Sequence, residues 1–329
     1  MSAYMPDFRL ARPRSLAEAV AARRDNPDSA WLAGGTDFLV NMRHGLPAPA
    51  LVIDLSEVAE LGGITLSAKG ARLGASAQIS DIENHAALAE RYPAVVQAAG
   101  GIAGPSHRRA GTVGGNLCLD TRCVYYNQSE WWRHANGYCL KARGDVCHVA
   151  PQGERCHAAF SGDLAPALLV HEAELEIAGT GGSRRMPLGE LFVEDGRAHL
   201  SLARDEVVVA VHLPAGMQNS AYRKVRVRDA IDFPLAGVAA ALTTKDGILT
   251  SLRIALTGTN SRPFLLEGTK ALCGKPVDAA ALQSIDKLVQ KQVQPMRTTV
   301  VSPQYRRLAA AAMACKLVKQ LADETGSTS

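Results

Sequence analysis

The stretch "AWLAGGTDFLVNMRHG" (30–45) joins two apolar runs through a pair of glycines and the polar residues Thr-Asp. The first run predicts a short strand over 30–33, and "GGTD" predicts a turn. Residues 37–43 fit a short helix that Gly45 closes. A strand that turns directly into a helix is typical of units whose strands lie parallel, so this stretch decides the architecture of the N-terminal part.

The flanking residues extend this pattern in both directions. "FRL" (8–10) predicts a short strand, and Ser15 with Glu18 forms a capping box that opens a helix ending near Asn26. "LVIDL" (51–55) is apolar throughout, which indicates a strand buried on both faces. Residues 1–56 are therefore predicted to form a small parallel β-α-β subdomain.

Residues 57–216 change to antiparallel patterns. "ITLSAKGARLGAS" (64–76) reads as a hairpin, and a second capping box at Ser80 and Glu83 predicts a helix running to residues 100–101. The segments "AELEIAG" and "RRMPL", joined by "TGG", and then "DEVVVAVHLP" read as antiparallel strands. We expect a second, antiparallel-sheet subdomain here.

A third unit is predicted over 217–329. "AYRKVRV", "LAGVAAALTT" and "LTSLRIALTG" read as three strands, and Ser302 followed by Pro303 marks the start of a long helix. The predicted fold class is therefore α+β. A parallel β-α-β subdomain and an antiparallel-sheet subdomain are followed by a C-terminal three-stranded antiparallel sheet with a helix bundle.

The composition is that of an ordinary globular protein. Of the 329 residues, 47% are hydrophobic and 21% are charged, and the net charge is +4 with scattered basic residues. This argues against a nucleic-acid-binding surface. No apolar run approaches the roughly 18 residues that a membrane-spanning helix needs, and the N-terminus lacks the apolar core of a signal peptide. A cytoplasmic protein is expected, with no membrane and no nucleic acid among its partners.

Two glycine-rich loops are candidate anion sites. "LAGGTDFL" (32–39) and "AGTVGGNL" (110–117) both resemble turns whose free backbone N–H groups cradle phosphate. Each loop alone is more often an ordinary turn between elements. Neither matches G-x-G-x-x-G, so a Rossmann dinucleotide site is not indicated. Two such turns in one chain would suit a diphosphate held from two sides.

A cysteine-rich segment follows the second loop. Residues 121–160 hold four of the seven cysteines but few large aliphatic side chains. Ordering forty residues costs on the order of 1–2 kcal/mol each in backbone entropy, whereas four cysteines around a metal contribute on the order of 10 kcal/mol. The spacing contains no C-x-x-C pair. From spacing alone, an iron–sulfur cluster, a zinc ion and no metal remain open.

Four blocks carry a family resemblance. "LAGGTDFL", "AGTVGGNLC", "SGDLAPALLV" and "YRKVRVRDAIDFPLAGVAAAL" resemble the FAD-binding medium subunits of the xanthine oxidase family, which includes carbon monoxide dehydrogenase. The resemblance covers essentially the whole chain, and the blocks keep the family's order. Most members have only a short connection between the positions of Asn116 and Asp163, so the cysteine segment is an insertion.

The insertion carries a more specific resemblance. Its pieces "YNQSEWWR", "GYCLK" and "GDVCHV" are similar to those of the β subunits of 4-hydroxybenzoyl-CoA reductases, in which this insertion carries an additional 4Fe–4S cluster. The resemblance implies the ligand set Cys123, Cys139, Cys147 and Cys156. It decides among the three alternatives, which spacing alone does not.

The resemblance also implies a set of FAD-binding residues. In such a fold the two glycine-rich loops hold the diphosphate, Asp163 hydrogen-bonds polar flavin or ribityl atoms, and Lys224 places a positive charge near the isoalloxazine. The implied residues are Leu32, Ala33, Gly34, Gly35, Thr36, Asp37, Phe38, Leu39, Thr112, Val113, Gly114, Gly115, Asn116, Asp163 and Lys224.

The implied function is electron transfer within a heteromeric molybdenum enzyme. This chain would pass electrons from ferredoxin through a 4Fe–4S cluster and FAD toward a molybdopterin-binding large subunit, alongside a small subunit with two 2Fe–2S clusters, in a dimer of heterotrimers. The reaction would be reductive dehydroxylation of 4-hydroxybenzoyl-CoA to benzoyl-CoA, with no catalytic residue in this chain. The alternatives are the flavoprotein subunit of an oxidising molybdenum hydroxylase, a zinc-stapled FAD-binding module and a cofactor-free docking subunit.

Overall fold

A computed structural model describes residues 5–216 and 219–326, with three separate sheets. The first sheet is parallel and has the order β1-β3-β2. Its strands and helices are β1 (Arg9–Ala11), α1 (Leu16–Asp25), β2 (Ala30–Leu32), α2 (Phe38–Arg43) and β3 (Leu51–Asp54). The central strand β3 is buried over its first three residues, which explains its apolar run, and the predicted parallel unit is confirmed.

Local signals predicted this unit well because they act within one turn of the chain. The Ser15 side chain accepts a hydrogen bond from Glu18 N at 3.2 Å and caps α1. Gly45 has φ +67°, the left-handed conformation that glycine adopts easily after a helix.

The second sheet is antiparallel and has the order β4-β5-β8-β6-β7. Its strands are β4 (Ile64–Ser67), β5 (Gly70–Gly74), β6 (Glu174–Gly179), β7 (Gly182–Pro187) and β8 (Val207–Pro214). Both predicted hairpins are present, as the antiparallel pairs β4–β5 and β6–β7. The sheet therefore matches the predicted antiparallel subdomain.

The predicted long helix starting at Ser80 is wrong. The chain instead forms α3 (Ile79–Glu83), α4 (Ala86–Arg91) and α5 (Pro93–Gly101). The Ser80 side chain does not cap α3, and the Glu83 carboxylate accepts from Arg108 Nε at 2.6 Å. Pro93 begins α5, and the residue before a proline is pushed out of helical geometry. Four further short helices are α6 (Pro105–Ala110), α7 (Val113–Leu117), α8 (Glu130–Ala135) and α9 (Leu164–Leu169).

The C-terminal part contains an antiparallel sheet covered by two helices. The predicted three strands are β9 (Ser220–Val225), β10 (Ala236–Lys245) and β11 (Ile248–Thr257), and a two-residue strand β12 (Phe264–Leu265) extends the sheet. Helices α10 (Ala279–Gln292) and α11 (Pro303–Gly326) pack on each other, and α11 covers β10. The predicted α+β architecture is therefore confirmed.

The division into domains over 1–56, 57–216 and 217–329 stays a prediction. Residues 1, 217 and 329, at which these ranges begin or end, lie outside the described residues. Across the described part of the chain, no helix combines the length and apolar character needed to cross a membrane.

Two buried histidines should make the free energy of unfolding depend on pH. Burial lowers the pKa of His171 to about 4 and that of His199 to about 4. As pH falls from about 6.5 toward about 4, the unfolded chain takes up protons that these folded histidines do not. Stability should therefore fall over that window, by about 1–3 kcal/mol for each histidine.

The measurement is the thermal midpoint of the purified protein at about pH 7 and about pH 5. Replacing His171→Gln should reduce the loss on acidification, although it lowers stability at both values. The matched control, His134→Gln, alters an exposed histidine and should leave the pH dependence as it was. If the thermal midpoint of His171→Gln protein fell on acidification as much as that of the unaltered protein, His171 would not be a source of the pH dependence.

Candidate functional site

The two glycine-rich loops meet at one cleft. It has a volume of about 580 Å³, and residues from the first sheet, the second sheet and the cysteine segment line it. The predicted flavin residues that line it are Ala33, Gly34, Gly35, Thr36, Asp37, Phe38, Thr112, Gly114, Gly115, Asn116 and Asp163. The structure thus brings both loops and Asp163 to a single cavity.

The loops touch at Gly34. A Cβ atom added there would lie 1.8 Å from the Ala110 carbonyl oxygen and 3.0 Å from Gly111 Cα. No side chain fits at that distance, so glycine is required for the two loops to close on each other. Gly35 has φ +72°, a second position that favours glycine. The pair of glycines therefore shapes the cradle.

The second loop is held by side-chain hydrogen bonds. Thr112 Oγ1 accepts from Gly115 N at 3.1 Å, which caps α7. Asn116 Oδ1 accepts from Leu164 N at 3.1 Å and so fixes the loop to the start of α9. Asp163 directly precedes that helix, so Asn116 also positions the Asp163 backbone beside the cleft.

Four of the predicted flavin residues do not line the cleft. Leu32 and Leu39 lie behind Gly35, within 3.4 Å of where its Cβ would be. Val113, the first residue of α7, is fully buried in the core. Lys224 has 5% of its side chain exposed and pairs with Asp163 at 3.0 Å. These residues support the walls of the cleft.

Asp163, Tyr222 and Lys224 form a buried polar group. The Tyr222 hydroxyl donates to Asp163 Oδ1 at 2.6 Å, and Lys224 Nζ donates to Asp163 Oδ2 at 3.2 Å and to Asp232 O at 3.1 Å. Burial raises the pKa of the Asp163 carboxyl, and the Lys224 ammonium opposes that rise. Lys224 therefore acts on the cleft through Asp163.

Arg122 is a cleft residue that sequence patterns did not reveal. Its guanidinium pairs with Asp37 and lies over the Phe233 ring at 4.5 Å. Its Nε is buried without a hydrogen-bond partner, which is costly for a guanidinium. Nothing in the sequence could have linked Arg122 to Asp37, because the contact joins the insertion to α2.

The four cysteines of the insertion surround a second, smaller cavity. Cys123, Cys139, Cys147 and Cys156 all line it, are buried and carry free thiols. The Ala158 N–H donates to Cys156 Sγ at 3.4 Å, a contact that commonly tunes sulfur ligands. Four convergent thiols are a donor set suited to soft metals and iron–sulfur clusters.

Zinc and an iron–sulfur cluster place different demands on four thiolates. One zinc ion needs all its donors about 2.0–2.3 Å from a single point, whereas the thiolates of an iron–sulfur cluster bind different irons. Within the described residues, no group of three or more His, Cys, Asp or Glu side chains is placed to hold one metal ion. Burial raises the pKa of Cys123 to about 12 and that of Cys156 to about 11. Binding of a metal or cluster to these thiols must therefore displace their protons.

The insertion is closed at its base and clamped to the main fold. Arg122 and Ala159 pair in both directions, with N···O distances of 2.7 and 2.8 Å. Arg133 is 2% exposed and donates to His44 O at 2.8 Å and Gly45 O at 3.2 Å. These contacts hold the insertion against the main fold, and the two cavities are adjacent because Tyr126 lines both.

Family models match almost the whole chain in two consecutive parts. The model described as the FAD binding domain in molybdopterin dehydrogenase matches residues 6–216, and the model described as the CO dehydrogenase flavoprotein C-terminal domain matches residues 220–321. The chain belongs to the FAD-binding medium subunits of the xanthine oxidase and carbon monoxide dehydrogenase family.

Curated relatives agree with this medium-subunit assignment. The chain is 28% identical over 320 residues to a xanthine dehydrogenase FAD-binding subunit of Escherichia coli O157:H7, covering 96% of each chain. It is 30% identical over 284 residues to an aldehyde oxidoreductase FAD-binding subunit of E. coli K12, covering 81% of this chain and 86% of the relative.

Solved structures share the fold of this medium subunit. A crystal structure of a Cu,Mo-CO dehydrogenase matches with a TM-score of 0.80 at 23% identity, covering 97% of this chain and 99% of the other. The predicted FAD-binding medium-subunit fold is thus confirmed. The roles of individual residues in binding FAD or a cluster stay predictions.

Proposed function

We propose that this chain is the FAD- and cluster-carrying subunit of a molybdenum-containing 4-hydroxybenzoyl-CoA reductase. It would relay electrons from ferredoxin toward the molybdenum subunit for reductive dehydroxylation to benzoyl-CoA. The observation that carries the proposal is the set of four buried, free thiols around one cavity beside the flavin cleft. Such a set suits an additional redox centre next to the FAD-binding domain.

The cleft fits FAD on two observations. The close approach of the loops at Gly34 leaves a cradle that no side chain fills, and the buried Arg122 Nε has no protein partner. Arg122 also neutralises Asp37, whose carboxylate would otherwise repel a diphosphate. We propose that the fifteen residues named for the cofactor hold FAD, with Leu32, Leu39, Val113 and Lys224 acting from behind the cleft.

The insertion fits a 4Fe–4S cluster bound by Cys123, Cys139, Cys147 and Cys156. When bound, FAD exchanges one or two electrons and a cluster exchanges one, which suits a subunit between a one-electron donor and a molybdenum centre. The chain itself supplies burial, thiolate ligands and the amide donated by Ala158. Lys224 keeps Asp163 in position as a hydrogen-bond acceptor at the cleft.

The proposed partners follow from family membership. Relatives are named medium chain or medium subunit of carbon monoxide dehydrogenase and nicotine 6-hydroxylase, and such names indicate assembly with larger and smaller chains. We propose a molybdopterin-binding large subunit that holds the thioester, a small subunit with two 2Fe–2S clusters, and a cytoplasmic dimer of heterotrimers. Ferredoxin is the proposed donor.

A second candidate is an oxidising molybdenum hydroxylase. The names of the relatives, such as xanthine dehydrogenase and aldehyde oxidoreductase, favour it. The ordered insertion with four convergent thiols favours the reductase, because an oxidising subunit has no need of an extra low-potential centre. The two functions differ in whether ferredoxin drives turnover.

The first test is cofactor content. Protein purified without oxygen should carry about one FAD with about four irons and four sulfides per chain. Chemical iron, sulfide and flavin analysis with metal spectrometry gives these numbers. Stoichiometric zinc without sulfide would establish the zinc-stapled alternative instead.

The second test compares two electron donors on one deletion variant. Residues 124–157 can be removed and a short linker placed between Cys123 and Ala158, because Arg122 and Ala159 already pair at the base. Ferredoxin-driven reduction of 4-hydroxybenzoyl-CoA should fall sharply in the assembled complex, while a dye that reduces FAD directly still supports turnover. Full FAD occupancy is the required control. Equal loss with both donors would show that the insertion serves assembly, and undiminished ferredoxin activity would refute electron entry there.

A further inference from the structure

Tyr126 belongs to the walls of both cavities. Its side chain lines the flavin cleft and also the cavity of the four cysteines. Its backbone N–H donates to Cys123 O at 3.0 Å, and Arg133 Nη1 donates to its carbonyl at 3.4 Å. These two contacts hold the Tyr126 backbone, and Tyr126 lies between the two sites.

Lys141 is a buried cation placed against that ring. Its ammonium lies 4.4 Å from the Tyr126 ring centroid, and 5% of its side chain is exposed. Nζ donates to Asp120 Oδ1 at 2.6 Å, to Thr121 O at 3.1 Å and to Thr121 Oγ1 at 2.5 Å. All three ammonium protons thus have acceptors, and the charge is held in one place.

The two ends of this ion pair face different cavities. Lys141 lines the cysteine cavity, whereas Asp120 lines the flavin cleft. Because the lysine is buried, salt screens its field much less than that of an exposed cation.

A charge in this position acts on redox equilibria. A centre bound by four thiolates is negative and becomes more negative on reduction, so a nearby cation stabilises the reduced state. A carboxylate at the flavin cleft has the opposite effect on a flavin that gains negative charge. The pair is neutral as a whole, but each cavity is nearest to a different end.

Resting on the proposed function, we propose that Lys141 and Asp120, packed against Tyr126, set the difference in reduction potential between the cysteine-bound centre and the flavin. Lys141 raises the potential of the cysteine-bound centre, and Asp120 lowers that of the flavin. Both are positioning residues, since neither supplies a ligand to the centre. The pair favours electrons at the cysteine site and so limits the energy lost on passing them to FAD.

The test uses the complete complex with Lys141→Met, purified without oxygen. The midpoint potential of the cysteine-bound centre, followed by electron paramagnetic resonance during a redox titration, should fall. The expected change in its one-electron equilibrium is about tenfold, which corresponds to about 59 mV. Lys141→Arg protein, which keeps the positive charge, should have a midpoint potential at the cysteine-bound centre close to that of the unaltered complex.

Arg143→Met is the matched control. Arg143 lies in the same insertion, but 66% of its side chain is exposed and it pairs with Glu130 at 3.2 Å. Its loss should leave both potentials unchanged. An equal fall in Arg143→Met protein would show a general charge effect and overturn the specific role of Lys141.

Asp120→Asn tests the other end and does not depend on the stability of Lys141→Met. It leaves the Lys141 charge without its carboxylate, so the potentials of both centres should rise. A fully loaded Lys141→Met protein with an unchanged potential, or an Asp120→Asn protein whose flavin potential does not rise, would refute the inference. Iron and sulfide analysis of the unaltered complex distinguishes failure of this inference from failure of the proposed function. Absence of a cluster in that complex would refute the proposed function itself.

Discussion

Protein carrying Cys147→Ser is expected to lose nearly all of its iron and sulfide while keeping FAD. Cys147 is 6% exposed and faces the other three thiols across the small cavity. Four cysteines around a metal contribute on the order of 10 kcal/mol to ordering their segment. The insertion should therefore become open to protease cleavage between residues 124 and 157. Iron, sulfide and flavin analysis measures the loss of the cluster and the retention of FAD. Limited proteolysis measures the cleavage of the insertion.

The other cysteines provide matched controls. Cys118 lines the flavin cleft and not the cysteine cavity, and burial raises the pKa of its thiol to about 12. Cys118→Ser should retain iron, as should Cys315→Ser, which lies in α11. An iron-free Cys118→Ser protein beside an iron-loaded Cys123→Ser protein would show that the ligand set is wrong.

The second large effect is expected at the contact between the glycine loops. Gly34→Ala places a methyl group 1.8 Å from the Ala110 carbonyl oxygen, so the backbones must separate. Overpacking of this kind typically costs about 1–3 kcal/mol, which predicts a loss of FAD affinity between about fivefold and about 150-fold. Flavin content after purification and titration of the apoprotein with FAD measure the loss.

Gly100→Ala is the control for that change. A Cβ at Gly100 meets Glu83 Oε1 at 3.5 Å, an ordinary contact, and Gly100 lies in α5, outside both glycine loops. FAD content should remain that of the unaltered protein. A Gly34→Ala protein that is folded and fully loaded with FAD would mean that the loops do not form the cradle.

The sequence predicts those features that arise from local chemistry. The cap at Ser15, the helix stop at Gly45 and the start of α11 after Ser302 each depend on a few adjacent residues. Alternating and continuous apolar patterns likewise predict the parallel and antiparallel sheets. The predicted helix after Ser80 failed for one distant and one local reason, since Arg108 takes up the Glu83 carboxylate and Pro93 interrupts the helical run.

The candidate site likewise divides into features that local sequence predicts and contacts between distant residues that it does not. Motifs place the glycine loops at one cleft and the four cysteines around one cavity. The direction of Lys224 toward Asp163, and the reach of Arg122 to Asp37, depend on how separate units pack. Spacing carries no information on such contacts, so the shared wall at Tyr126 could be found only in three dimensions.

The paired ends of the insertion bear on how such a subunit can evolve. Because Arg122 and Ala159 lie side by side, the segment between them can be gained or lost in a single genetic event without rethreading the surrounding sheets. Its independence is incomplete, since Arg133 donates to the His44 and Gly45 carbonyls and Arg122 neutralises Asp37 of the main fold. A transplant into another medium subunit would therefore have to carry Arg122 with its cysteines, and the recipient would need an acidic residue at the end of its first glycine loop.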